Sequence, residues 1–453
     1  MSQPNACGGR DVSGMPSSCL DIAVIGSGIA GLSAAWLLAT QHRVTLFEAA
    51  GRLGGHTSTR HVDGCPVDTG FIVYNEPSYP NLTALFAHLG IDTTPSEMSF
   101  SVSLDDGRRE YSGSGLSGLF AQKRNLASPR FWSMLRDLER FYRRAPRDLP
   151  GLGDISLGAY LDRLGCGRAF RDDHLYPMAS AIWSSPAADI AGFPAAAFIR
   201  FCDNHALLEL GRRPVWRTVA GGAATYVAAM ATALSGRIRL SSPVRAIRRD
   251  LAAVTVATDT ESARFDQVVI AAHADQALAM LDDADDTERR LLGAFSYTRN
   301  DAILHSDPAL MPKRARVWSS WNALAAPGGG AGAPSLTYWM NRLQSLATPA
   351  PLFVSLNPAR MPVRIHHQET FHHPLVDARS ERARQQLWSL QGQRRTWFCG
   401  AHFGAGFHED ALQSGLAVAE QLGGLRRPWR VADESGRIAI HAPAGAAVPR
   451  QAA

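Results

Sequence analysis

The stretch DIAVIGSGIAGLSAAWLL, residues 21–38, constrains the fold more than any other part of the chain. Ile22 to Ile25 reads as a buried strand, and the G-S-G-I-A-G run that follows opens a helix. Gly26 permits the tight turn, Gly28 lets the backbone approach a pyrophosphate, and Gly31 lets helix and strand pack closely. Ser27, Ile29 and Ala30 lie between them, where a helix N-terminus offers free N–H groups and a positive dipole end to phosphate. A lone G-x-G-x-x-G is a weak signal, because a chance glycine turn produces the same spacing. Here a second strand follows, RVTLFEA, ending in Glu48 and Ala49. Glu48 stands 22 residues after Gly26, placed to hydrogen-bond the ribose hydroxyls of an adenosine half. The combination reads as a dinucleotide-binding βαβ unit.

Residues 22–40 carry no charge and reach the roughly 18-residue length of a membrane span. Gly26, Ser27, Gly28 and Gly31 divide that run into strand and helix, and no dense basic region precedes it. The reading is therefore neither a span nor a signal peptide. At 453 residues the chain exceeds the roughly 250–300 residues of a single core, so at least two domains are expected. A net charge of +5 rests almost wholly on arginine, with Lys123 and Lys313 the lysines. No basic stripe with interleaved aromatics points to nucleic acid. A basic surface favours anionic lipid headgroups instead. Six scattered cysteines without a C-x-x-C pair argue for reduced thiols in the cytoplasm and against a disulfide framework or zinc.

After Glu48 the chain reads AAGRLGGHTSTR. Arg52 offers a fork for phosphate oxygens, and Gly54–Gly55 let the backbone pass close to a cofactor, carrying His56 and Thr57 with it. These glycines lead to VDTGFIVYN, with Gly70, Phe71 and Ile72 in its middle. That order resembles the flavin-containing amine oxidase and phytoene desaturase superfamily, whose FAD domain carries an Arg-x-Gly-Gly element after the ribose carboxylate. Three more segments resemble it: WRTVAGGAATYVAAMATAL, its glycine pair opening a helix; SSPVRAIRRD with VTVAT and FDQVVIAAHADQAL, its adenine-contacting strands; and FCGAHFGAGFHEDALQSG, its C-terminal FAD motif.

The resemblance implies an α/β protein with a discontinuous Rossmann-like FAD-binding domain, residues 21–75, 205–280 and 390–428. An α+β substrate domain, 76–204 and 281–389, completes a monoamine-oxidase-like two-domain architecture. A flexible leader (1–20) and a loose tail (429–453) flank it. It also implies that Val244 lies at the adenine. Gly400, Glu409, Asp410 and Leu412 would bring a second helix N-terminus to the ribityl chain and ring. No cysteine sits in the setting of a covalent flavin link, so non-covalent FAD is expected. The first insertion looks mainly helical (NLTALFAHLG, SPRFWSMLRDLERFYRR), and the second strand-rich (RARVWSSW, PSLTYWM, PLFVSL). APGGGAGAP, 326–334, reads as a flexible loop.

The superfamily oxidises amines, desaturates carotenoids or acts on porphyrinogens. Its amine oxidases carry an aromatic cage and a lysine that reaches the flavin through water. In this chain the cage position is Phe407, and Lys313, among arginines after a Met-Pro turn, reads as a solvated surface lysine. More narrowly, the segments GLFAQKRNL, YPMASAIWS, LMPKRARVWSSWN, YWMNRLQ and FHHPLVD, with those above, resemble a bacterial group of FAD-binding amine-oxidase-like proteins. That group is associated with cyclopropane fatty-acyl synthases, and some members are similar to desaturases of methyl-branched acyl chains. One departure is Ala411, where the group more often has glycine.

The resemblance implies a lipid or other apolar substrate and a functional association with a fatty-acyl methyltransferase. The reading is a cytoplasmic protein, extended to a peripheral position on the inner membrane face. The arginine-flanked face of Phe131, Leu135, Leu138 and Tyr142 suits either an anionic membrane surface or packing on its own domain. Trp183, Trp321, Tyr338 and Phe407 are candidates for lining an apolar substrate tunnel, or are core aromatics. The pairs His366–His367 and His372–His373 lack metal-ligand spacing, and HHP reads as a loop. For catalysis the candidates are His408, then Tyr74 and Asn75, beside a flavin that receives hydride from a carbon next to a double bond. Two rival functions stay open: a flavin-containing amine oxidase, and a non-catalytic flavoprotein that assists a lipid methyltransferase.

Overall fold

The five parallel strands at the centre of the molecule come from three distant parts of the sequence. The structure, a computed structural model, describes residues 19–183, 187–204, 207–209, 211, 214–234, 236–325, 335–375 and 377–440. Across the central sheet the order is Ile238–Arg239, Arg43–Phe47, Asp21–Ile25, Gln267–Ile270 and Thr396–Phe398. The apolar run before the glycines fills its middle strand, with Ile22, Ala23 and Val24 fully buried. Such runs suit a sheet covered on both faces. The run that mimicked a membrane span is split as its glycines require, into the strand Asp21–Ile25 and the helix Ile29–Leu38. Among the described residues no helix is long and apolar enough to cross a membrane.

The helix Ile29–Leu38 packs against the C-terminal helix His408–Gly423. Their closest approach is at Gly415, where an added Cβ would stand 2.2 Å from both Ala30 O and Ser33 Oγ. Only a residue without a side chain allows that crossing. A three-stranded antiparallel sheet, Val244–Arg249, Val254–Thr258 and Ser262–Phe265, hangs off this unit, with an irregularity between Val244 and Ala246.

A seven-stranded sheet forms the second layer, in the order Ile365–Pro374, Tyr297–His305, Phe353–Leu356, Ser335–Trp339, Trp321–Ala325, Phe100–Leu104, Arg109–Ser112. Its last two strands come from the first insertion, predicted to be mainly helical. They form a hairpin around Asp105, Asp106 and Gly107, all at positive φ, and Phe100–Leu104 pairs in parallel with Trp321–Ala325. The sequence signal was a D-G turn between two alternating runs. In the second insertion RARVWSSW forms a short 3₁₀ turn, Ala315–Val317, and the strand begins only at Trp321. Both histidine pairs lie on the strand Ile365–Pro374, so HHP is no loop. VDTGFIVYN is broken at Gly70 into Cys65–Asp68 and Tyr74–Asn75.

The helix Pro129–Asp148 buries Phe131 and Tyr142 and half-buries Leu135 and Leu138. The face considered for a membrane therefore packs on its own domain. Around Phe141, Tyr160, Phe170 and Phe198 it builds a separate helical core. The C-terminal tail, expected to be loose, is packed as far as it is described: Trp429 stacks on Trp36 at 5.9 Å and Arg437 lies 3.5 Å from Asp410. Cys65, Cys166, Cys202 and Cys399 are free, but Cys19 is disulfide-bonded, which corrects the expectation of six reduced thiols. The stretch 326–334, most of the leader and residues 441–453 lie outside the described residues.

Candidate functional site

A cavity of about 760 Å³ opens where the strands Asp21–Ile25, Arg43–Phe47 and Gln267–Ile270 end. That is the end at which open α/β sheets bind ligands, and the volume is typical of ligand pockets. Gly26 takes φ +98°, and its added Cβ would strike Ala271 O at 2.7 Å. A Cβ on Gly31 would lie 1.9 Å from Gly26 O, so that glycine closes the turn on the helix. Gly28 differs: it lines the cavity, and an added Cβ would meet no protein atom within 4 Å. The backbone there is open to the cavity, as close approach to a pyrophosphate requires. The helix Ile29–Leu38 begins there without a side-chain cap or an acidic residue in its first turn, leaving its positive end open to an anion.

The Glu48 carboxylate is fixed at the same rim. Its Oε2 accepts from Ser27 N at 2.9 Å and Ser27 Oγ at 2.5 Å, and its Oε1 from Ala50 N at 2.8 Å. Gly54 N donates to Ser27 Oγ at 3.1 Å, and Gly55, at φ +55°, passes so near that its Cβ would sit 3.1 Å from Gly28 Cα. The glycine-rich arm after Glu48 is thus laid against the phosphate turn.

The C-terminal segment closes the other side. Gly400, Phe407, His408 and Ala411 line the cavity, so a second helix N-terminus faces it. Phe71 stacks on His408 with ring centroids 3.9 Å apart. His408 Nε2 stands 2.7 Å from Tyr226 Oη, which in turn stands 2.6 Å from Thr57 Oγ1. Burial pushes the His408 imidazole down to about 3, so it is neutral at ordinary pH.

Of the residues predicted to hold a cofactor, Gly26, Ser27, Gly28, Ile29, Ala30, Glu48, Ala49, Gly54, Gly55, His56, Gly70, Phe71, Val244 and Gly400 line this cavity. Gly31, Thr57 and Ile72 stand behind its wall. Arg52 does not line it; its guanidinium pairs with Glu369 and donates to Thr57 O at 3.2 Å. Glu409 is fully buried and turned away: it accepts from Asn81 N, Asn81 Nδ2 and Leu82 N at about 3 Å, capping the helix Pro80–Leu89. Asp410 accepts from Phe407 N at 2.9 Å, and Leu412 is core. Neither carboxylate of FHED lines this cavity: Glu409 caps another helix, and Asp410 anchors its own helix start and borders a separate cavity of about 560 Å³.

The structure separates the catalytic candidates. His408 lines the cavity, but Tyr74 and Asn75 are buried elsewhere, Tyr74 against Tyr79 and Phe86 and Asn75 accepting from Ser78 N. Tyr338 and Phe407 line the cavity, while Trp321 stands behind, edge-on to Tyr338 at 4.8 Å. The side chain of Trp183 lies outside the described residues. Lys313 pairs with Asp106 at 2.6 Å on the surface.

Sequence reasoning missed Tyr226, Tyr297, His273 and Phe371. His273 stacks on Tyr297 at 4.3 Å, and His56 on Phe371 at 5.0 Å. With His372, His373, His402 and His408 they put six imidazoles around the cavity. The histidine pair in FHHP was visible, yet only metal binding was asked of it. Among the described residues no group has the makings of a metal site.

Comparison with known proteins agrees with this geometry. The profile of the flavin containing amine oxidoreductases matches residues 29–306. Mycobacterium tuberculosis AofH, provisionally named a flavin-containing monoamine oxidase, is 31% identical over 269 residues, 56% of this chain and 57% of that protein. The match thus spans little more than half of that curated relative. Among solved structures, a redesigned putrescine oxidase shares the fold at a TM-score of 0.68 and 16% identity, over 89% of this chain and 98% of the other. The CLA-producing fatty acid isomerase from P. acnes does so at 0.64 and 16%, over 89% and 98%.

Proposed function

This chain belongs to the flavin containing amine oxidoreductase family, and from that premise we propose that it is an FAD-dependent oxidoreductase acting on an unsaturated or methyl-branched fatty acyl chain. The observation that carries the substrate class is the charge of the cavity wall. Among the described residues lining it, Glu48 is the sole carboxylate, and it is engaged at the adenosine rim. The remaining wall is mostly glycine, alanine, aliphatic side chains such as Ile182, Leu356 and Met280, aromatic rings and histidines, with the neutral polar groups of Ser27, Thr69, Ser242 and Gln276 and with Arg245 at the adenine end. Burial holds the imidazoles of His56, His273, His373, His402 and His408 below their ordinary value, so they are neutral. An ammonium group entering such a site would lose its hydration without meeting a countercharge. An acyl chain needs none. The fatty acid isomerase among the fold relatives fits this reading.

When bound, FAD supplies a two-electron acceptor. The residues that would hold it are Glu48 for the ribose, Gly28 and the first helix N-terminus for the pyrophosphate, Val244 for the adenine, and the start of the C-terminal helix for the ring system. The protein side of the chemistry then falls to His408. Tyr226 and Phe71 hold its ring in one orientation, through the 2.7 Å contact and the stack. A neutral imidazole can take a proton, but one so strongly depressed is a weak base, so its main role is to orient. A functional association with a fatty-acyl methyltransferase, whose product would be this protein's substrate, belongs to the same reading.

Replacing His408 by Ala should leave FAD bound and slow anaerobic flavin reduction by about 10²-fold. Tyr226→Phe should lie between the variant and wild type. Wild-type reduction rates in His408→Ala would remove the residue from the reaction.

A further inference from the structure

Between Gly113 and Arg136 the sequence GSGLSGLFAQKRNLASPRFWSMLR contains four cations, Lys123, Arg124, Arg130 and Arg136, and no carboxylate. It includes one of the chain's two lysines. The structure folds it into the short helix Gly115–Leu119, the 3₁₀ turn Lys123–Ala127 and about the first two turns of the helix Pro129–Asp148. Leu116, Leu126 and Trp132 come to its outer surface, 74%, 55% and 50% exposed. The indole is not loose: its Nε1 donates to Leu126 O at 2.9 Å, and its ring lies 5.7 Å from that of Phe120. The polar edge of Trp132 is thus spent on the protein, while half of its surface is offered outward.

The charge around these side chains is mainly positive, with the exposed Asp172 lying 3.9 Å from Arg130 at one edge. Lys123 and Arg124 are exposed and meet no carboxylate among the described residues. Arg130 pairs with Asp173, and Arg136 approaches Asp137 at 3.5 Å, but both carboxylates are buried and both guanidinium groups remain substantially exposed. Apolar side chains held out beside unpaired cations are disfavoured in water, yet both are satisfied at the boundary between anionic headgroups and acyl chains.

We propose that this face, Leu116, Leu126 and Trp132 with Lys123 and Arg124, seats the protein on an anionic lipid bilayer. The apolar trio enters the boundary region and the cations meet the headgroups. The core-facing residues of the helix Pro129–Asp148 take no part; its N-terminal turn carries the contact. The surface is independent of the cavity and of its substrate.

The test is sedimentation of the full-length, FAD-loaded protein with vesicles of phosphatidylglycerol and phosphatidylcholine, and with vesicles of phosphatidylcholine alone. Wild type should bind the anionic vesicles at about 0.1 M salt and be released when screening is strong. Lys123→Gln with Arg124→Gln should weaken binding by about 30-fold, at about five- to sixfold per charge. Trp132→Ser should weaken it by about tenfold with flavin absorbance unchanged. Should Trp132→Ser fail to fold, Leu126→Ser carries the apolar arm of the test. Equal sedimentation of variants and wild type would overturn the proposal. So would no affinity for anionic vesicles, or retention by RNA without vesicle binding.

Discussion

Gly28 and Gly31 belong to one motif and do different work, which makes them separable by experiment. A Cβ on Gly28 meets only the space of the cavity, whereas one on Gly31 meets Gly26 O at 1.9 Å. Gly28→Ala should therefore fold with nearly wild-type stability and lose most of its flavin. Gly31→Ala should lose about 1–3 kcal/mol of stability even as apoprotein. Flavin content and thermal melting of the two variants check this, and equal melting would refute it. Glu409 teaches the converse: its carboxylate read as a flavin contact, but it caps a helix far along the sequence. Glu409→Ala should leave the Asn81 and Leu82 N–H groups unsatisfied and cost about 1–3 kcal/mol, measurable in urea. Nothing local distinguishes the two roles, because the partner lies more than three hundred residues away. His402 adds a pH signature. Burial lowers it to about 4 from 6.5, so the unfolded chain binds its proton first as pH falls. Its contribution is complete above about 6.5 and is lost toward pH 4, at up to about 1.4 kcal/mol per pH unit. Melting of His402→Gln should show a correspondingly shallower pH slope in that window.

At the scale of elements, two helices that start at one cavity are packed on each other through Gly415. Gly415→Ala would drive the new methyl into Ala30 O and Ser33 Oγ, and should both destabilise the protein and lower flavin content. Retention of full flavin by a destabilised variant would show that the crossing does not position the site. The strand–turn–helix units at both ends of the FAD-binding part were legible because their glycine spacing and apolar runs are local signals. The hairpin Phe100–Ser112 was legible too, through its D-G turn, but was absorbed into a helical reading of its neighbours. What local patterns could not show is that this hairpin completes a sheet with strands two hundred residues later. Tyr226 was hidden for the same reason, as its partners Thr57 and His408 meet only in the folded chain.

The whole molecule joins a parallel sheet, drawn from three stretches of sequence, to a seven-stranded sheet drawn from both insertions, with the cavity between their contributions. The family rests on the profile match over residues 29–306, while the substrate reading rests on a cavity wall with a single, engaged carboxylate among the described residues. The most direct test is anaerobic mixing of the FAD-loaded protein with phospholipids carrying unsaturated or methyl-branched chains, and separately with mono- and polyamines. Loss of the oxidised flavin absorbance with the lipids, and not with the amines, is the predicted result. A flavin that stays oxidised with every lipid but is reduced by an amine would contradict the proposed substrate.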